Sequence, residues 1–135
     1  MGKRSTPYHP KVFESDGSKS DTSANIYMSM LMSENWQALT KNAQLLYLYC
    51  KAQYYAEKRK PKPDYKQLTE QEQHQCFTMN KSKWKDLYHL YTNESQFYKD
   101  RDLLVKYGFI EIIENGKNTR TKSIYMLSDK WRKEP

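Results

Sequence analysis

The segment from Thr92 to Leu127, TNESQFYKDRDLLVKYGFIEIIENGKNTRTKSIYML, leaves this chain few folds to choose from. Asn93 can accept hydrogen bonds from the free N–H groups that open a helix, and Gln96 follows three residues on. The helical stretch stops at Gly108, a residue suited to the left-handed turn that ends helices. Phe109-Ile110-Glu111-Ile112-Ile113-Glu114 then reads as a strand, rich in β-branched and aromatic side chains. Asn115-Gly116 is a hairpin signal, because both positions tolerate positive φ. Thr119 to Leu127 returns as a second strand carrying Ile124, Tyr125, Met126 and Leu127. Phe97 and Leu104 lie seven apart on the helix and should face its core. Helix, glycine stop, strand, basic hairpin and strand predict an α+β domain.

The preceding residues should supply the helices under that hairpin. Only 37% of the chain is hydrophobic, so the core has to draw on its twelve tyrosines and three tryptophans. Tyrosine buries a ring while its hydroxyl seeks a partner, which places many of them at the core's edge. Residues 1–23 mix Lys, Ser, Asp, Gly and Pro and read as a flexible arm, with Val12-Phe13 pinning its far end; residues 24–135 read as one domain. Ile26 to Met32 fits a short strand or the start of a helix. Thr40 caps a long helix candidate from Lys41 to about Arg59. Its apolar residues, Ala43, Leu46, Tyr47, Cys50 and Tyr54, broadened by Leu45, Leu48, Tyr49, Ala52 and Tyr55, mark a buried central helix. Pro61 and Pro63 close it, and the polar run to Gln75 reads as a loop or a poor helix. A short strand over Gln75 to Met79 follows. Asn80 or Ser82 then opens a helix with Trp84, Leu87, Tyr88 and Tyr91 at i, i+3, i+4 and i+7. Trp131 should pack back on the core.

A net charge of +7 and a pI near 9.3 point to a polyanionic partner. The densest cation cluster near the hairpin is Lys117, Arg120 and Lys122, interleaved with Asn118, Thr119 and Thr121. Hydroxyls and amides beside cations suit a phosphate backbone or a minor groove. Lys3, Arg4 and Lys11 of the arm could reach a groove in the same way. Cys50 and Cys76 cannot build a disulfide framework and read as reduced core residues of a cytoplasmic protein. No apolar run has the length to span a bilayer. His9, His74 and His89 are scattered without zinc spacing to either cysteine. Neither a glycine-rich phosphate loop nor a nucleophile motif is present. The sequence therefore predicts a non-enzyme without cofactor or metal.

The pattern Phe97…Leu104-Val105-Lys106-Tyr107-Gly108-Phe109-Ile110, a basic hairpin, and a strand ending Tyr125-Met126-Leu127-Ser128 resembles winged helix-turn-helix proteins. With Leu45-Leu46-Tyr47-Leu48-Tyr49 upstream, the chain looks like DNA-binding proteins of Gram-positive plasmids and conjugative elements, among them replication initiators and transfer accessory factors. The resemblance spans roughly Ser23 to Trp131. It implies a partner of double-stranded DNA, alongside a relaxase or replication protein. Helix 93–107 would enter the major groove with Asn93, Glu94, Ser95, Gln96 and Lys99 at base edges and Tyr98 at the flank. The wing, 115–122, would lay Lys117, Asn118, Thr119, Arg120 and Lys122 on the backbone or minor groove. Winged helices also serve as protein-docking modules, the alternative this resemblance leaves open. One departure stands out: Asp100 and Arg101 fall where the family places an apolar residue. The helix is also charge-neutral; either Arg101 bridges an acidic neighbour, which is the expectation here, or the helix lies differently from the family's pattern.

Overall fold

Side-chain caps open most of the described α-helices of this α+β chain. The computed structural model describes residues 10–19, 21–55, 68–114 and 123–133. Stretch 26–32 resolves into a helix: α1, Met28–Leu31, precedes α2, Glu34–Gln37, which Ser33 caps by accepting from the Trp36 amide. Thr40 caps α3, Lys41–Ala52, through the Ala43 amide, and a 3₁₀ turn, Gln53–Tyr55, tightens its end. The expected continuation to Arg59 lies outside the described residues. Ala43, Leu46, Tyr47 and Cys50 are buried as the stripe predicts, but Leu45 is 44% exposed. One edge of α3 thus faces solvent, and the helix is less central than its composition suggests.

Within the described end of the polar run, Thr69 and Glu72 build a reciprocal capping box and start α4, Glu70–His74. Strand β1, Cys76–Phe77, follows directly. The second long helix, α5, is Glu94–Lys106, and it leads into β2, Ile110–Glu114; β3 is Ile124–Leu127. The strands form one antiparallel sheet in the order β1-β3-β2. Phe77 and Ile112 flank Tyr125 in register, and a bulge falls between Ile112 and Glu114. The Asn115-Gly116 turn lies outside the described residues, although the pairing of β2 with β3 has the sense a hairpin requires.

The turn at Gly108 explains how α5 meets the sheet. The Phe109 amide donates to the Leu104 carbonyl at 2.9 Å and the Gly108 amide to Val105 at 3.2 Å. That pair of bonds closes a helix through a left-handed residue, and Gly108 has φ +86°. A Cβ there would stand 2.5 Å from the Trp131 nitrogen, so the C-terminal backbone uses the space a side chain would fill. Trp131 returns as expected and stacks on Phe109 with centroids 5.9 Å apart. Asn35 holds that return by donating to the Trp131 and Lys133 carbonyls at 2.8 and 2.7 Å.

Two aromatic clusters fill the core. Trp36, Tyr47 and Phe109 meet edge to face at 5.4–5.7 Å. Trp84 stacks on Phe97 at 5.2 Å, with Tyr91 edge-on to both. Edge-to-face and offset rings add about 0.5–1.5 kcal/mol per pair beyond the area they bury. Cys50 and Cys76 are both free and buried.

Two expectations need correction. The segment from Ser82 is not an α-helix through Tyr91 but a six-residue π-helical turn, Ser82–Leu87. The Tyr88 amide reaches the Lys83 carbonyl at 2.8 Å, and the Leu90 amide reaches Trp84 at 2.8 Å, wider closures than an α-helix makes. His89 then takes φ 55° and turns the chain inward. Trp84 and Tyr91 still reach the core, while Leu87 points outward, 62% exposed. No side chain caps this segment. The second correction concerns Val12 and Phe13, which are 99% and 89% exposed and pin nothing to the domain.

Candidate nucleic-acid interface

Helix α5 presents two chemically different sides. Its inner side carries Phe97, Asp100 and Leu104, all buried. Phe97 and Leu104 face the core as the seven-residue spacing predicts, each contributing about 1.5–3 kcal/mol by burial. Asp100 is the surprise. Its Oδ2 accepts from the Tyr91 hydroxyl at 2.7 Å and its Oδ1 from Thr40 at 3.3 Å. Thr40 also caps α3, so one carboxylate ties the start of α3, the turn before α5 and α5 itself together. Burial, then the bond to Asp100, pushes the Tyr91 phenol well above its ordinary value. Sequence reasoning missed this latch because its members are 60 and 9 residues apart. No local pattern announces such contacts.

The outer side begins at the cap. Asn93 Oδ1 accepts from the Gln96 amide at 3.0 Å and from the Ser95 hydroxyl at 2.8 Å. Asn93 is therefore engaged as a helix cap, the role its position in sequence suggests. Glu94, Ser95, Gln96 and Lys99 are exposed on the first turns, where a groove-bound surface would meet them. Glu94 also suits the positive end of the helix dipole. Tyr98 differs from these: it is half-buried, edge-on to Phe97 at 5.2 Å, with the Arg101 guanidinium 4.6 Å over its ring. The predicted wing residues Lys117, Asn118, Thr119, Arg120 and Lys122 lie outside the described residues.

Arg101 does bridge an acidic neighbour. Its Nη2 meets Asp102 at 2.9 Å, and only 12% of its side chain is exposed. Burial works against its charge, and hydrogen bonding to Tyr125 and Asp102 more than restores it, leaving its pKa above the ordinary arginine value. Charge on the exposed part of α5 consequently cancels, with Lys99 and Lys106 against Glu94 and Asp102. The same balance holds for all described residues taken together, which carry as many acids as bases. The net +7 therefore comes from the rest of the sequence, whose cations concentrate in the runs Lys3-Arg4, Lys58-Arg59-Lys60-Pro61-Lys62 and Lys117…Lys122.

Elsewhere an open cleft of about 590 Å³ lies between the end of α3, α4 and the sheet, bordered by Tyr27, Lys51, Tyr54, Glu72, Met126 and Trp131. None of the residues expected to read DNA borders it. Its lining mixes aromatic rings with acids and bases and selects no one ligand chemistry. Among the described residues, no three His, Cys, Asp or Glu side chains gather as a metal-holding group. No helix among them is long and apolar enough to cross a membrane. Neither a family model, a curated protein nor a solved structure matches the chain.

Proposed function

We propose that the chain is a winged helix-turn-helix protein that binds double-stranded DNA, acting as an accessory or regulatory factor of a plasmid or conjugative element. The observation that carries this reading is α5: a capped thirteen-residue helix, locked from beneath by Asp100, that ends in a glycine turn feeding an antiparallel strand pair. Its first turns hold exposed groups of the types that read bases. Gln96 would pair with adenine, Glu94 would accept from cytosine N4, and Lys99 would reach guanine or a phosphate. Asn93 and Ser95 would contact the backbone from the cap, and Tyr98 would support the flank. The neutral helix face and the basic wing divide the labour: Gln96 and its neighbours select sequence, while Lys117, Arg120 and Lys122, with Asn118 and Thr119, hold phosphates. The association with mobile elements rests on the sequence resemblance alone.

A second reading, a module that docks on a relaxase or replication protein, draws on a specific observation. The described surface has no net charge and exposes Val12, Phe13, Tyr27, Met28 and Met32. Fluorescence anisotropy separates the two. The full chain and its Lys117→Ala/Arg120→Ala variant are titrated onto a random duplex pool and onto DNA flanking the gene, across a salt series. Under the DNA reading the wild type binds the flanking DNA in preference to the pool. The double variant loses most of its pool binding and about 1.8 of the log–log salt slope, since each phosphate contact adds about 0.9. Absence of binding at low salt, with partner capture intact in the variant, would establish the docking module instead.

A further inference from the structure

Arg101 sits mid-helix where an apolar side chain would be expected, and its surroundings give it a task. Nε and Nη2 donate to Asp102 Oδ1 at 3.1 and 2.9 Å. The guanidinium carbon lies 4.6 Å over the centre of the Tyr98 ring, one turn earlier on α5. From the sheet, the Tyr125 hydroxyl of β3 joins the same group by hydrogen bonding. Nη1 is buried and has no hydrogen-bond partner among the described residues. Consecutive helix residues do not face one another. Asp102, 64% exposed, therefore cannot by itself draw Arg101 inward. The ring of Tyr98 and the phenol of Tyr125 do that, and they belong to the two elements whose relative angle matters. A lysine could not substitute, because a point charge has neither the plane that stacks nor the fork that bonds two partners.

We propose that Arg101 is a positioning residue: clamped between Tyr98 of α5 and Tyr125 of β3, it fixes the angle between the base-reading helix and the hairpin strands without touching nucleic acid itself. The functional consequence rests on the DNA-binding reading, whereas the clamp rests on the Tyr98 ring contact and the Tyr125 hydrogen bond. Arg101 differs here from Lys99, which is exposed on the same helix and would contact phosphate or base directly.

The test uses Arg101→Lys, Tyr125→Phe and the double variant of the full chain, with thermal melts run first. Tyr125→Phe removes a single oxygen and keeps the ring in the core, so it reports even where Arg101→Lys folds poorly. Anisotropy then gives the affinity ratio between flanking duplex and random pool and the salt slope, and amide NMR shifts report on the strands. Each single variant should lower the ratio by about tenfold, the scale of one good bidentate base contact, with the salt slope unchanged. The double variant should fall no further than the worse single one, because both cut the same link. Amide shifts should move at 98–102, 110–114 and 123–127 and stay in place along α3. A slope reduced by about 0.9 with the ratio kept would make Arg101 a phosphate contact and overturn the proposal. Strictly additive losses, or strand shifts that do not move, would overturn it as well. Should the wild type bind no duplex, the DNA reading falls and the amide shifts alone decide the clamp.

Discussion

The two segments on either side of Thr92 carry similar apolar spacing and fold differently. Phe97 and Leu104 lie on a thirteen-residue α-helix, with a cap at Asn93 and a left-handed stop at Gly108. Trp84, Leu87, Tyr88 and Tyr91 match a helical face better on paper, yet they occupy a short π turn and a reversal at His89. The difference lies at the ends. Lys81 offers the second segment no side-chain cap, so its opening N–H groups gain no local partner to offset the cost of nucleation. Tertiary packing then chooses the route that stacks Trp84 on Phe97 and brings the Tyr91 hydroxyl to Asp100. Apolar periodicity proposes a helix; terminal hydrogen bonds and one buried polar partner decide it.

Trp84 and Leu87 are two residues that a continuous helix would bury alike, and truncating each separates the two segments. Trp84→Ala should lose about 3–5 kcal/mol in denaturant melts, since its ring is buried against Phe97 and Tyr91. Leu87→Ala should stay within about 0.5 kcal/mol of wild type. Equal losses would mean that Leu87 is packed and the π turn is wrong.

Next in size is Gly108→Ala. It combines a positive φ with a Cβ 2.5 Å from the Trp131 nitrogen, so the C-terminal return must shift. A loss of about 2–3 kcal/mol is expected, with tryptophan fluorescence reporting an unstacked Trp131. Asn93→Ala should cost about 1 kcal/mol by removing the cap. If the cap is structural only, Asn93→Ser, which keeps a capping oxygen, should restore both stability and any DNA affinity.

The smallest effect concerns alkaline pH. Burial, then the nearby Glu72 charge, raises the Cys76 thiol from 9.0 to about 11. Burial also raises the phenols of Tyr88, Tyr91 and Tyr125. Each group binds its proton more tightly folded than unfolded. Their contribution is therefore complete below the unfolded value and is lost as pH climbs through the folded one. Melting temperature should hold to about pH 9 and decline toward pH 11, with both thiols slow to alkylate in the native state at neutral pH.

Much of this fold is legible in the sequence where the deciding contact is local. The Asn93 cap, the Gly108 stop, the strand pair after it and the inward faces of Phe97 and Leu104 all depend on neighbours within a few residues. Arg101's acidic partner was also within reach, one position away. Long-range choices were not legible. Nothing near Asp100 indicates that Thr40 and Tyr91 will satisfy its carboxylate, so it reads as a charge out of place. Val12-Phe13 reads as an anchor because an apolar pair usually finds a surface, and here it finds none. Of the expected DNA contacts, the helix set except Tyr98 lies exposed on the first turns of α5. Tyr98 is instead half-buried, for the reason that also draws in Arg101.

One titration tests α5 as the reading helix. Amide NMR spectra of the labelled full chain are recorded while a duplex carrying the gene's flanking sequence is added at moderate salt. If α5 reads DNA, shifts move at residues 93–99 while the cleft residues Tyr27, Tyr54 and Trp131 stay in place. If duplex binds and residues 93–99 do not move, or if no duplex binds at all, the assignment of α5 as the reading helix is wrong.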